Sequence, residues 1–207
     1  MKYSVVTFGC RVNQADSLAI EDGLLSRGGV HAPPEEADIV VVNTCSVTAS
    51  ADQAARQTVR RITRANPAVR VVVTGCYATR RPAEVAALPN VIRVVTNPGK
   101  EELAGMFGDG DGPCGHTLAP GVAGRTALTL RVQTGCDEAC SYCIIPTTRG
   151  TGRSKPLTAV VYDVRRAVHA GCGGHLGHVR YTGSKSIAFL NFARAFRAMA
   201  LASASSV

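Results

Sequence analysis

Apolar and polar positions alternate in blocks along the first hundred residues, and each block predicts an element. Lys2–Phe8 has the pattern of a short strand and runs into Gly9-Cys10. Across Gln14–Leu25, Ala15, Leu18, Ala19 and Leu25 recur at near-helical spacing, and the pattern stops at Gly28-Gly29. Ala37–Val42 is apolar apart from Asp38, as in a strand buried on both faces, and is followed by Asn43-Thr44-Cys45. Ser50 and Gln53 have the spacing of a capping box, and Ala51, Ala55, Val59 and Ile62 mark one helical face before Asn66-Pro67. Val69–Val73 is a further β-branched run, leading into Thr74-Gly75-Cys76, while Pro82–Leu88 reads as a short helix and Val91–Val95 as a fourth strand. Repeated strand–helix units predict an α/β fold with a parallel sheet covered by helices.

Beyond residue 100 the rhythm changes. Gly105–Arg125 is rich in Gly, Pro and Asp and reads as a linker. Cys114 and His116 lie inside it without ligand-spaced partners and are taken as incidental. Thr126–Val132 predicts a strand leading into a cysteine-rich loop. Pro156 then opens a helix whose Leu157, Val160, Val161, Val164 and Val168 share a face, ending at Gly171. Further on, only Ile187–Leu201 has a periodic pattern, that of a short basic amphipathic helix.

Composition narrows the picture. The 207 residues suit one large or two small domains, and no run of about 18 apolar residues exists to span a membrane. The apolar stretch before Arg11 is too short for a signal peptide, so a cytoplasmic location is expected. In that compartment eight cysteines point to metal binding or catalysis rather than to disulfides. The net charge of +8 is unevenly spread: after Asp163 there is no acidic residue and six basic ones, so residues 1–163 carry 17 basic against 15 acidic groups, or +2. Such a basic tail can contact phosphate or simply be solvated.

The cysteines carry the chemistry. Cys136, Cys140 and Cys143 form a C-x3-C-x2-C run, and three thiolates that close can hold three corners of an iron–sulfur cube while one iron stays open. A zinc site is the alternative, but zinc modules usually add a second ligand pair about 12–20 residues away. Here His169, Cys172, His175 and His178 lie 26 to 35 residues beyond Cys143, and no second C-x2-C exists. Cys10, Cys45 and Cys76, separated by 35 and 31 residues, each follow a predicted strand at the sheet edge where open α/β folds bind ligands. They either converge there or are three separate buried thiols acting as small apolar groups.

Together these residues resemble the radical S-adenosylmethionine (SAM) methylthiotransferases over roughly residues 1–170. Thr7–Ser17, Ala37–Thr48 and Val71–Tyr77 are similar to the family's three N-terminal cysteine motifs. The resemblance implies that Cys10, Cys45 and Cys76 bind an auxiliary 4Fe–4S cluster and that Cys136, Cys140 and Cys143 bind the SAM cluster. It places Tyr142 where the family has an aromatic near the SAM adenine; loop packing is the alternative. It implies a radical reaction at adenosine C2 next to the tRNA anticodon, using SAM, two 4Fe–4S clusters and an electron donor. Cys10-Arg-Val-Asn-Gln14 is most similar to the subclass acting on threonylcarbamoyladenosine. Arg149-Gly150 and Arg153-Ser154 resemble the basic segment after the family's cluster loop, available to phosphate or to solvent.

The expected organisation is an N-terminal methylthiotransferase domain at 1–104, a linker at 105–125, the first βα unit of an incomplete radical SAM barrel at 126–170, and an atypical basic tail at 171–207. From Gly171 the chain departs from the family pattern, as a frameshifted or truncated product would, and little methylthiolation is expected of it in isolation. The other readings are a non-catalytic metal- or cluster-binding module that contacts RNA, or an inert gene product.

Overall fold

The computed structural model describes residues 1–103 and 131–169. Five parallel strands form the main sheet: β1 (Lys2–Thr7), β2 (Val30–His31), β3 (Ile39–Thr44), β4 (Arg70–Gly75) and β5 (Val91–Val95), in the spatial order β2-β1-β3-β4-β5. Helices α1 (Arg11–Leu25), α2 (Ala49–Ala65), α3 (Cys76–Arg80) and α4 (Pro82–Ala86) connect them, and a 3₁₀ turn at Asn97–Glu102 follows β5. This is the doubly wound order in which the winding reverses between β1 and β3.

The central strand explains the layering. All six residues of β3 are buried, and successive side chains enter opposite cores. Val40 and Val42 pack with Ala55, Val59 and Ile62 of α2, and with Val71, Val73 and Val85. Ile39 and Val41 pack on the other face with Tyr3, Val72, Ile20 and Leu24 of α1, and Leu103. Burying one such side chain is worth about 1.5–3 kcal/mol, so four on one strand match a sizeable part of a domain's net stability of about 5–15 kcal/mol. That is why the apolar run at 37–42 is legible as a doubly covered strand.

Local corrections have identifiable causes. Thr48, not Ser50, caps α2: its hydroxyl accepts the Ala51 N–H at 3.2 Å, while Ser50 lies within the first turn. The two-residue strand β2, absent from the sequence reading, pairs through Lys2↔Val30 and Tyr3↔His31 and is too short to show a period. A further turn of helix, α3, begins at Cys76 itself.

The second segment is built differently. β6 (Gln133–Thr134) and β7 (Arg153–Ser154) pair antiparallel and close the cysteine loop between them. Inside the loop lies α5 (Ile145–Arg149), and α6 (Leu157–His169) follows. Val160 is buried, but Leu157, expected on the same face, is 66% exposed. The expected strand at 126–132 falls mostly outside the described residues, and its last two positions, Arg131 and Val132, precede β6. The linker with Cys114 and His116, the residues from Ala170 onward with Cys172, His175 and His178, and the 187–201 helix lie outside them too.

Candidate functional site

Strand register brings the first three cysteines to one edge. Thr7 pairs with Asn43, Asn43 with Thr74 and Thr44 with Gly75, so the turns bearing Cys10, Cys45 and Cys76 leave three adjacent strands at their carboxyl ends. Cys10 and Cys45 flank the point between β1 and β3 where the winding reverses. Cys45 and Cys76 are buried, and Cys10, at the N-cap of α1, is exposed.

Two glycines make this close approach possible. Gly9 has φ +91°, and a Cβ there would stand 2.5 Å from Cys45 Sγ. Gly75 has φ +101°, and a Cβ there would meet the Thr44 backbone, 2.6 Å from its nitrogen. No L side chain satisfies both the dihedral and the space.

Polar side chains pin the three turns to one another. Asn13 Nδ2 donates to Phe8 O and Thr44 O, both at 2.9 Å, and so joins the Cys10 turn to the Cys45 turn. Thr44 Oγ1 donates to Thr74 O at 2.6 Å and accepts the Ala78 N–H at 3.3 Å, which ties in the Cys76 turn. Asn97 Nδ2 reaches Cys76 Sγ at 3.6 Å and also donates to Thr148 O in α5 at 2.8 Å.

Beneath these turns sits a buried ionic centre that no local sequence pattern marks. Asp16 Oδ2 accepts from Lys100 Nζ at 2.9 Å and Arg149 Nη2 at 3.0 Å, and Oδ1 accepts from Arg131 Nη1 at 2.8 Å. Side-chain exposures are 0% for Asp16, 4% for Lys100 and 3% for Arg149. Arg149 Nη2 also donates to Asn13 Oδ1 at 2.6 Å, and Lys100 Nζ to Asn43 Oδ1 at 3.0 Å. Burial alone would raise the Asp16 pKa, but Lys100, Arg149 and Arg131 together hold it below the usual value. For Lys100 burial wins, and its pKa is lowered despite Asp16. For Arg149 burial is outweighed by Asp16, then Cys76, with Cys10 contributing, and its pKa is raised. Arg149 is therefore neither solvated nor free for phosphate, contrary to both alternatives its sequence context offered. Arg153 is exposed.

The second cysteine set lies in the hairpin-closed loop. Cys136 is buried, its N–H donating to Gly150 O at 3.0 Å, and Cys143 N–H donates to Cys140 O at 3.1 Å across a tight turn. Asp137 Oδ1 accepts the Gly152 N–H at 2.9 Å and braces the loop against its return. Cys140 is exposed and Tyr142 is 91% exposed, so Tyr142 does not pack the loop.

Among the described residues no three His, Cys, Asp or Glu side chains are grouped as they would be around a metal ion. Neighbouring strands lie about 4.8 Å apart, so the turns bearing the first three cysteines are spaced along the edge over about two strand spacings, room for a polynuclear group. The donor chemistry fits an iron–sulfur cluster: three soft thiols, two of them shielded, with cations behind them. Beside Cys76, buried Thr74 Oγ1 and Asn97 Oδ1 have no hydrogen-bond partner among the described residues.

Comparison with known proteins gives consistent matches. Residues 2–97 match the model described as uncharacterized protein family UPF0004. The chain is 34% identical over 181 residues to the threonylcarbamoyladenosine tRNA methylthiotransferase of Bacillus subtilis, covering 80% of this chain and 40% of that protein. It is 37% identical over 196 residues to the tRNA-2-methylthio-N(6)-dimethylallyladenosine synthase of Sorangium cellulosum, covering 82% and 39%. It is 30% identical over 203 residues to the ribosomal protein uS12 methylthiotransferase of Chloroflexus aurantiacus, covering 83% and 44%. The chain thus spans about 40% of the length of the first curated relatives it matches.

Proposed function

We propose, from these matches, that the chain belongs to the methylthiotransferase family and carries both cysteine sites of a tRNA methylthiotransferase. In this reading Cys10, Cys45 and Cys76 hold one 4Fe–4S cluster at the edge of the 1–104 domain. Cys136, Cys140 and Cys143 hold a second, with Tyr142 beside the SAM adenine. The target is C2 of the adenosine next to the tRNA anticodon, with threonylcarbamoyladenosine favoured by Cys10-Arg-Val-Asn-Gln14. Bound there, the clusters and SAM supply the radical and sulfur chemistry, and a separate one-electron donor is required.

The protein's own residues position and shield. Gly9 and Gly75 let the three thiol turns approach, and Asn13 and Thr44 lock them in register. Burial of Cys45 and Cys76 keeps water from the inner side, while exposed Cys10, Cys140 and Tyr142 leave open faces for substrate and SAM. Among the described residues no helix is long and apolar enough to cross a membrane.

One observation carries this reading: three cysteine turns end adjacent parallel strands, and the segment bearing the second cysteine loop docks beneath that same edge. Anaerobic reconstitution of the purified chain is expected to load two four-iron clusters, about eight iron per chain. Replacing Cys10, Cys45 and Cys76 by Ala should halve that count. Bound zinc with no visible-region absorbance would overturn the reading. For the substrate, anticodon stem-loop RNA carrying threonylcarbamoyladenosine should bind more tightly than the isopentenyl form. The reverse preference would move the chain to the other substrate.

A further inference from the structure

Two buried cations, Lys100 and Arg149, share one oxygen of Asp16. Among the described residues, and leaving aside the part-exposed Arg131, this centre sets two buried cations against one carboxylate. Unbalanced charge at that depth is costly unless a further negative group lies nearby. A cluster held by Cys10, Cys45 and Cys76 would supply it, and hydrogen bonds through Asn13 and Asn97 link those cysteine turns to Arg149 and its neighbour Thr148. Arg149 comes from the segment just after the second cysteine loop, yet it bonds the asparagine that pins the Cys10 and Cys45 turns together. Asn97 makes a parallel link, joining Thr148 O beside Arg149 to Cys76 Sγ.

Resting on the reading above that Cys10, Cys45 and Cys76 hold a cluster, we propose that Arg149 is a positioning residue that couples the two cysteine sites. Its guanidinium balances the negative charge gathered at the first site and, by the same contact, docks the second loop against it. Coupling of this kind is reciprocal: loading the first site tightens the 131–154 segment, and docking of that segment favours the loaded first site. The guanidinium also sets the electrostatics of the first site. A positive charge at close range favours the more negative, reduced form, so its removal lowers the reduction potential.

The test uses the full chain with Cys136, Cys140 and Cys143 replaced by Ala, so that iron and sulfide load the first site alone. Electron paramagnetic resonance during a dithionite titration gives the midpoint potential for Arg149, R149K and R149Q. R149Q is expected to shift the potential negative and to retain several-fold less iron after gel filtration. R149K, which keeps the charge but not the planar fork, is expected to hold a potential near that of Arg149. Hydrogen exchange at 145–154 should slow several-fold on loading in the Arg149 protein, and this response should vanish in R149Q.

Equal potentials for R149Q and Arg149, or equal shifts in R149Q and R149K, would overturn the charge role. Should R149Q not fold, unchanged exchange at 145–154 on loading of the Arg149 chain overturns the coupling by itself. A first site that takes up no iron–sulfur cluster in any of the three proteins removes the underlying cluster assignment, a failure distinct from a loaded site indifferent to Arg149.

Discussion

The two cysteine sites solve the same problem, holding three thiols, by opposite means. Cys136, Cys140 and Cys143 lie within eight residues, so chain connectivity alone keeps them near one another, and a pair of two-residue strands is enough to close their loop. Cys10, Cys45 and Cys76 span 67 residues from first to last and reach one sheet edge only because β1, β3 and β4 pair in one register. The first site therefore depends on the whole sheet and on glycines with no room for a side chain. The second depends on a local turn and on Arg149, its anchor into the first. A set of thiols dispersed in sequence needs rigid scaffolding; a compact one needs docking.

The sharpest way to break this contrast is D16A. It would leave Lys100, Arg131 and Arg149 without their shared carboxylate, and breaking a buried ion pair costs about 3–5 kcal/mol. Chemical denaturation should show that loss, and hydrogen exchange should show the 131–154 segment released. Retention of full stability would mean the centre is not the anchor.

Next in size is a pair of glycines. G75A places a Cβ against the Thr44 backbone at φ +101°, with an expected cost of about 3 kcal/mol. G150A in the second segment has φ +72° and nothing within 4 Å, so only the dihedral penalty of about 1 kcal/mol remains. Equal costs in thermal melts would erase the distinction between a crowded sheet edge and an open loop.

A pH titration acts on the contact between the regions. The Asp16 pKa is lowered from 3.8, so its stabilisation is fully present above about pH 4 and is lost as pH falls through the lower folded value. Exchange protection at 145–154 should hold to pH 4 and collapse below it. Collapse near pH 6 would implicate another group. The smallest effect is expected at Tyr142: at 91% exposure, Y142A should change stability by no more than about 0.5 kcal/mol while removing the aromatic proposed to face SAM. A larger loss would return Tyr142 to a packing role.

Much of the fold was legible because its signals are local. The β-branched runs before Cys45 and Cys76, and Val91–Val95, all became strands of the main sheet, and the face Ala55, Val59 and Ile62 buries as its spacing predicts. The misses are also physical. β2 is two residues long and exists only through pairing with β1. Thr48 displaced Ser50 as a cap because the helix begins at Ala49, a difference that capping patterns two residues apart do not resolve. Arg149 looked like a surface residue because a basic segment after a loop is ordinarily solvated, and nothing nearby in sequence revealed Asp16, 133 residues away.

What the sequence determined by itself is what neighbouring residues settle: the alternation of strands and helices, the compact cysteine loop, and the family motifs at all three dispersed cysteines. The tertiary structure alone decided which strands lie side by side. It therefore also decided that Cys10, Cys45 and Cys76 share one edge, and that Asp16, Lys100 and Arg149 form one buried centre. The physical reason is distance along the chain. Periodicity and capping act over a few residues, whereas register and buried charge pairing join groups 30 to more than 100 residues apart, and their energies exist only once the sheet has formed.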